Sequence, residues 1–380
     1  MLTRRIALTA LAAAAAAVAG LGAQQTASQK APKKNPLVKL AAEWAEPDVI
    51  EARKTEAQNR PLFQQTDPLP FVLTADFKTI NKDRNPESTN RYPGVLTVKD
   101  AQGREESLKI RVSPRGHLRR MARTCDFVPL RLELAGNDLD GTVFEGQTTL
   151  KLSAHCRDEK EYDQYVLREY LSYRLLNLVT PKSFRARLAR GTYVDVKSGK
   201  PMTTRFGIFI EHENDVARRL GGRIVELQHL QFKEVDPAAL NNMMLFNYMI
   251  GNTDFSIYAL HNVRIVQDPT RTLYTIPYDF DLTGFVNPPY AMPDRRLGIR
   301  TVVDRLYRGP CVPADQLDKS AEAFRAKRAE MLALLDGMKE IDASARAQAK
   351  DYLESFFRTI AQPNNVKRSL VDGCKATPTM

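Results

Sequence analysis

The sequence predicts an α+β chain of two lobes, a β-rich first lobe and a mainly helical second one. Three observations carry the prediction. From about Leu69 to Glu211 apolar and polar residues alternate in short runs, as half-buried strands do. From about Asp215 the apolar spacing turns to that of helices, apart from one hairpin. Between Gly251 and Asp281 an aspartate, an asparagine and two further aspartates are set around two strand-like runs. With 380 residues and 43% hydrophobic content the chain can bury a full core, and one two-lobed unit or two modest domains fit equally well.

In chain order, Arg4 and Arg5 precede an alanine-rich apolar stretch ending at Leu21, Gly22 and Ala23. Residues 1–23 therefore read as a secretory signal, too short and too cleanly followed by polar residues for a membrane anchor. The double arginine also partly resembles a twin-arginine signal. Residues 24–66, rich in Ala, Gln, Lys and Pro, read as a linker with one short helix around Val38 to Glu56. Residues 67–214 form the β-rich lobe, broken by the helix that carries Glu169. Residues 215–380 form the helical lobe. There Asp236 caps a helix with Pro237 at its first position, and Gly251 is placed to stop it. Val263 to Val266 and Thr272 to Ile276 make a hairpin around Asp268 and Pro269. Amphipathic helices over Ser320 to Met338 and Ile341 to Ile360 end the pattern.

Helix, loop, strand, turn, strand, acidic residue is the order in which a protein kinase presents its catalytic loop and metal-binding aspartate, so the two lobes are expected to be protein-kinase-like. Phosphoryl transfer needs hard oxygen ligands and fixed charges more than covalent chemistry. Asp254 is placed to orient or deprotonate an acceptor hydroxyl. Asn262 and Asp279 would give oxygens to magnesium, with Asp281 as the second choice. The plainer readings are an aspartate at 254 that caps its own loop, and a surface turn at 279 and 281.

GNTD, a later HN and PYDFD resemble the catalytic segment of spore-coat CotH-type kinases and of HipA-type kinases. Upstream, RVSPRGHLRR, CDFVPLRLEL and TLKLSAHCRD resemble the CotH pattern of an R-G loop followed by strands and a helix with an R-E pair, here in YVLREYLSYRLL. The resemblance covers roughly residues 70 to 310. It departs in two places: the gap from Asp254 to Asn262 is longer than usual, and YDFD offers two aspartates for one metal position.

The resemblance implies that Lys151 grips nucleotide phosphates and pairs with Glu169. Arg115, Gly116, His117, Arg119 and Arg120 would then form a phosphate-covering loop, but no Gly-x-Gly-x-x-Gly is present, so a basic surface turn is the plainer reading. Glu211 falls at the lobe junction, as an adenine-hinge contact or as packing. ATP or another nucleoside triphosphate, Mg2+, and a hydroxyl of a protein or envelope component as acceptor follow from the same resemblance. On residue pattern alone Lys151 is equally the solvent face of a strand and Glu169 an exposed helix residue.

The net charge of +11 is spread among acidic residues, with no nucleic-acid arm. The run from His117 to Arg123 is its densest patch. Four cysteines in an exported chain suggest two disulfides, and counting leaves three connectivities. Position favours Cys125 with Cys156 and Cys311 with Cys374. No C-x-x-C pair supports zinc. His261 reads as a loop histidine beside the catalytic segment. The expected function is an exported, magnesium-dependent phosphotransferase, the alternative a catalytically silent envelope-binding or adhesive module. A metal-dependent phosphoesterase is a weaker third reading.

Overall fold

The computed structural model describes residues 40–99 and 103–379. The expected signal segment and residues 24–39 of the expected linker lie outside the described residues. Seven strands fill the first half: β1 (Leu69–Ala75), β2 (Tyr92–Lys99), β3 (Glu105–Pro114), β4 (Leu130–Glu133), β5 (Thr149–Ser153), β6 (Ala186–Asp195) and β7 (Pro201–Ile210). They close into a barrel in the order β1-β2-β3-β4-β5-β7-β6. Every pairing is antiparallel except the closing one, where β1 runs parallel to β6 with Leu69 opposite Ala189 and Ala75 opposite Asp195.

This barrel corrects the expected two-lobed protein-kinase-like fold, because the β-rich half is a sheet closed on itself and no longer an open lobe. The physical reason is the parallel closing pair. It joins segments more than a hundred residues apart, and alternation along one strand reports which face is buried, never which strand lies alongside.

Before the barrel lies helix α1 (Pro47–Gln58), inside the segment read as linker, and α2 (Phe77–Ile80) follows β1. Helix α3 (Tyr162–Val179) separates β5 from β6. After β7 come α4 (Glu213–Arg219), the short strand β8 (Arg223–Val225) and α5 (Pro237–Ile250). The Asp236 carboxylate accepts the Ala239 N–H at 2.7 Å to start α5. Gly251 ends it at φ 64, where an added Cβ would lie 2.1 Å from the Tyr352 hydroxyl, so both backbone and packing require glycine. The hairpin forms as β9 (Val263–Gln267) and β10 (Leu273–Pro277), and β8 joins it in a three-stranded sheet. Helices α6 (Ala314–Gly337) and α7 (Ala343–Ile360) follow.

Strands β6 and β7 connect two cores by their two-residue period. Ala189, Tyr193 and Phe209 point into the barrel. Leu188, Phe206, Ile208 and Ile210 point outward into a second core shared with Leu167, Leu171 and Leu175 of α3 and the apolar faces of α5, α6 and α7. Each fully buried side chain of this size contributes about 1.5–3 kcal/mol, so the shared strands tie the two halves firmly. The disulfides are Cys125–Cys156 and Cys311–Cys374. Among the described residues, no helix is long and apolar enough to cross a membrane.

Candidate functional site

Strand β5 aims the first two side chains of the site. Leu150 and Leu152 face the barrel core, so Lys151 and Ser153 leave the other face, toward α3 and the helical half. On α3, Glu169 and Tyr173 lie one turn apart on one face. Ser153 Oγ donates to Glu169 Oε2 at 3.0 Å, and the Tyr173 hydroxyl accepts the Asp279 N–H at 3.0 Å. The helix between two barrel strands thereby fixes the segment after β10.

Arg119, on a single helical turn after β3, fills the space between these elements. Its Nη1 donates to Ser153 Oγ at 3.0 Å and lies 3.8 Å from the carboxylates of both Glu169 and Asp281. Its Nη2 donates to the Ala154 carbonyl. Burial opposes the charge on Arg119, but Tyr290, Asp281, Glu169 and Asp279 outweigh it, so the guanidinium stays charged. Burial, then Asp279, pushes the Asp281 carboxyl well up against the pull of Arg119. Burial likewise raises Glu169. Tyr290 closes this cluster, whose cavity is about 10 Å³. Nothing larger than a water fits there.

Lys151 stands apart from that cluster. Its ammonium lies 3.9 Å from Glu213 and 5.0 Å over the Tyr278 ring. Arg264 shares the same carboxylate at 2.6 Å. The pairing with Glu169 implied by the resemblance is not made; Glu169 takes Arg119 instead. Burial, then Arg115, pushes the Lys151 ammonium down to about 8 while Glu213 holds it up, so it remains mostly charged at neutral pH. Arg115 is half-buried at the end of β3, close enough for its charge to act on Lys151, Glu169 and Tyr278.

The loop after α5 holds the third part. Asn252 Oδ1 accepts the Asp254 N–H at 3.0 Å, an Asx turn that sets the loop. Asn262 Nδ2 donates to the Asp254 carbonyl at 2.7 Å and to its Oδ2 at 3.0 Å. His261 Nε2 lies 3.1 Å from Asp254 Oδ1, and that bond raises the imidazole. The Tyr278 N–H donates to the Asn262 carbonyl at 3.0 Å, so the loop and the YDFD segment form one hydrogen-bonded unit. Asn262 has φ 52 and Asp279 φ 66, sparsely populated backbone of the kind that collects at functional sites.

Glu211 sits elsewhere. It is fully buried, and its carboxylate is taken by Arg185 at 2.8 Å and Arg219 at 3.1 Å. This triad packs the strap before β1 against the turn into α4, since Arg185 also donates to the Ala57 and Gln58 carbonyls.

Among the described residues, no three His, Cys, Asp or Glu side chains converge tightly enough to hold a metal unaided. The Asp279 carboxylate is half-exposed and takes no hydrogen bond or ion pair among those residues. Beside Glu213 and Arg264 opens a pocket of about 310 Å³, lined also by Val225, Leu227, Leu260 and Val263. Sequence reasoning missed Glu213, Arg264, Tyr290 and the role of Arg119. Arg119 stood in the basic run from His117 to Arg123, and no motif marked the other three.

No family model matches the chain, and no curated protein sequence matches it. Among solved structures, it is similar to the Helicobacter pylori proinflammatory kinase CtkA, at 9% identity and a TM-score of 0.34, over 64% of this chain and 88% of that one. That likeness is too distant to fix either the fold or an activity.

Proposed function

We propose that the chain is an exported phosphotransferase that moves the γ-phosphoryl group of a nucleoside triphosphate to a hydroxyl of a protein or envelope component. The observation that carries the reading is that Asn262 bonds Asp254 and, through the Tyr278 N–H, the segment of Asp279, whose charge reaches Lys151; Lys151 pairs with Glu213, which lines a pocket of about 310 Å³. A pocket of that size is at the lower end for a nucleoside-sized ligand.

The donor set suits magnesium, which needs one or two carboxylates with water and phosphate completing its shell. Asp279 and Asn262 would hold it, and Asp279 is favoured over Asp281 because the latter is sealed behind Arg119 and Tyr290. Magnesium would supply charge neutralisation between the phosphate oxygens. Lys151 and Arg115 bring the fixed positive charge that the transferring oxygens require. Asp254, oriented by Asn262 and His261, accepts the acceptor's proton as the acceptor oxygen bonds to phosphorus. The bond to the leaving diphosphate oxygen breaks, and the nucleoside diphosphate departs with that electron pair. Export is supported by the two disulfides and by the signal-like start of the sequence.

Incubation with γ-labelled ATP, Mg2+ and an envelope extract tests the reading. Label transferred to protein or polymer by the wild type and lost in D279A supports it. Free phosphate without acceptor labelling points to a phosphoesterase. One observation favours a silent binding module instead: Lys151 and Glu169 have different ion-pair partners. Unchanged cellular function of D279A, with no label transferred, would establish that second reading.

A further inference from the structure

The edge of the Asp254 loop is covered by another part of the chain. Arg308 Nη1 donates to the Thr253 carbonyl at 2.7 Å and the Phe255 carbonyl at 2.6 Å, the two residues that flank Asp254. The other side of the same guanidinium meets Thr379, with Nη2 2.8 Å from its hydroxyl and 3.3 Å from its carbonyl, and Nε 3.2 Å from the hydroxyl. Ser256 Oγ donates to the Thr379 carbonyl at 2.9 Å. One backbone carbonyl and one side-chain hydroxyl are thus read by three donors next to the candidate base.

The two sides of this contact are built differently. Arg308 is buried, and Gly309 behind it is fixed by packing, since an added Cβ would lie 2.3 Å from the Tyr307 hydroxyl and 2.9 Å from Met244 on α5. The covering segment, by contrast, has exposed side chains at Ala376, Thr377 and Thr379. It is held by Cys311–Cys374, by the exchange of backbone bonds between Lys375 and residues Gly309 and Cys311, and by its bonds to Arg308 and Ser256. A rigid polar edge therefore carries a tethered and largely exposed occupant.

We infer that this edge is a docking site for a threonine- or serine-bearing peptide segment, and that Lys375–Thr379 is its tethered intramolecular occupant. The inference rests on the phosphotransfer reading for its purpose, because it makes the acceptor a polypeptide, but the docking itself needs no nucleotide. Three donors for a carbonyl and a hydroxyl select a residue bearing a β-hydroxyl. Tethering raises the effective concentration of the occupant to the millimolar range, so a free peptide competes poorly until the segment is removed.

The test compares the full chain with a variant lacking residues 376–380, using the synthetic peptide Lys-Ala-Thr-Pro-Thr-Met as probe in calorimetric titration without nucleotide. The inference expects the peptide to bind the shortened variant at least tenfold more tightly than the full chain. It also expects R308M in the shortened background to lose that binding, and a peptide with alanine for both threonines to bind at least fivefold more weakly. Should R308M fail to fold, S256A serves in its place. Equal affinities for the full and shortened chains, or indifference to the threonine hydroxyls, would overturn the inference. If peptide binding appears but no phosphoryl transfer is ever detected, the docking site stands and the phosphotransfer reading falls.

Discussion

Two acidic regions lie close together in this molecule and differ in nearly every physical respect. Around Arg119 the carboxylates of Glu169 and Asp281 are sealed, with side-chain exposures of 2% and 12%. Around Asp254 they are open, with 38% exposure for Asp254 and 57% for His261. The sealed region satisfies its charges internally and leaves almost no cavity. The open one holds its aspartate by neighbouring side chains while a face stays toward solvent. A buried cluster of this kind holds elements together, whereas a substrate can only reach the other. On the proposed reading, stability belongs to the Arg119 side and chemistry to the Asp254 side.

The sharpest way to break this comparison is to remove charge on the open side. D254A and D279A are expected to lower phosphoryl transfer on the order of 10²–10⁴-fold, while the urea midpoint moves by less than about 1 kcal/mol of stability, as exposed polar contacts allow. A loss of folding in step with activity would place these aspartates in the sealed class.

The converse change belongs on the sealed side. E169A leaves Arg119 with one fewer counter-charge in a buried site, and about 3–5 kcal/mol of stability should be lost, read from urea unfolding. A smaller loss, near that of an exposed pair, would show that water reaches the cluster.

The last expected effect is a pH dependence of the barrel core. His155 is buried against Phe127 and Tyr193, and burial pushes its imidazole down from 6.5 to about 3. The unfolded chain therefore binds a proton that the folded chain refuses. Stability is whole above pH 6.5 and falls as pH drops toward 3, at up to about 1.4 kcal/mol per pH unit from this group. The variant H155F should flatten that part of the stability curve, measured by unfolding between pH 7 and 4.

Local chemistry made much of this legible in the sequence. The Asp236–Pro237 cap, the Gly251 stop and the β9–β10 hairpin are short-range features, and each forms within a residue or two of where pattern places it. The disulfide pairs also join as position suggested. What stayed hidden is long-range. The closing β1–β6 pair and the Lys151–Glu213 contact each depend on the path of the chain in space. Arg119 was one arginine in a basic run until α3 and the YDFD segment brought two carboxylates to it. Glu211, read as a hinge contact or as packing, is fully buried and held between Arg185 and Arg219, which is packing.

The most direct test of the central claim, that the open region binds a nucleotide with magnesium, is thermal unfolding during titration with ATP and Mg2+. At a hundredfold excess over Kd the wild type should gain about 2.7 kcal/mol, a rise of several degrees in Tm, and K151M and D279A should lose most of it. No shift of the wild type at millimolar ligand, or an equal shift in all three proteins, would contradict the account.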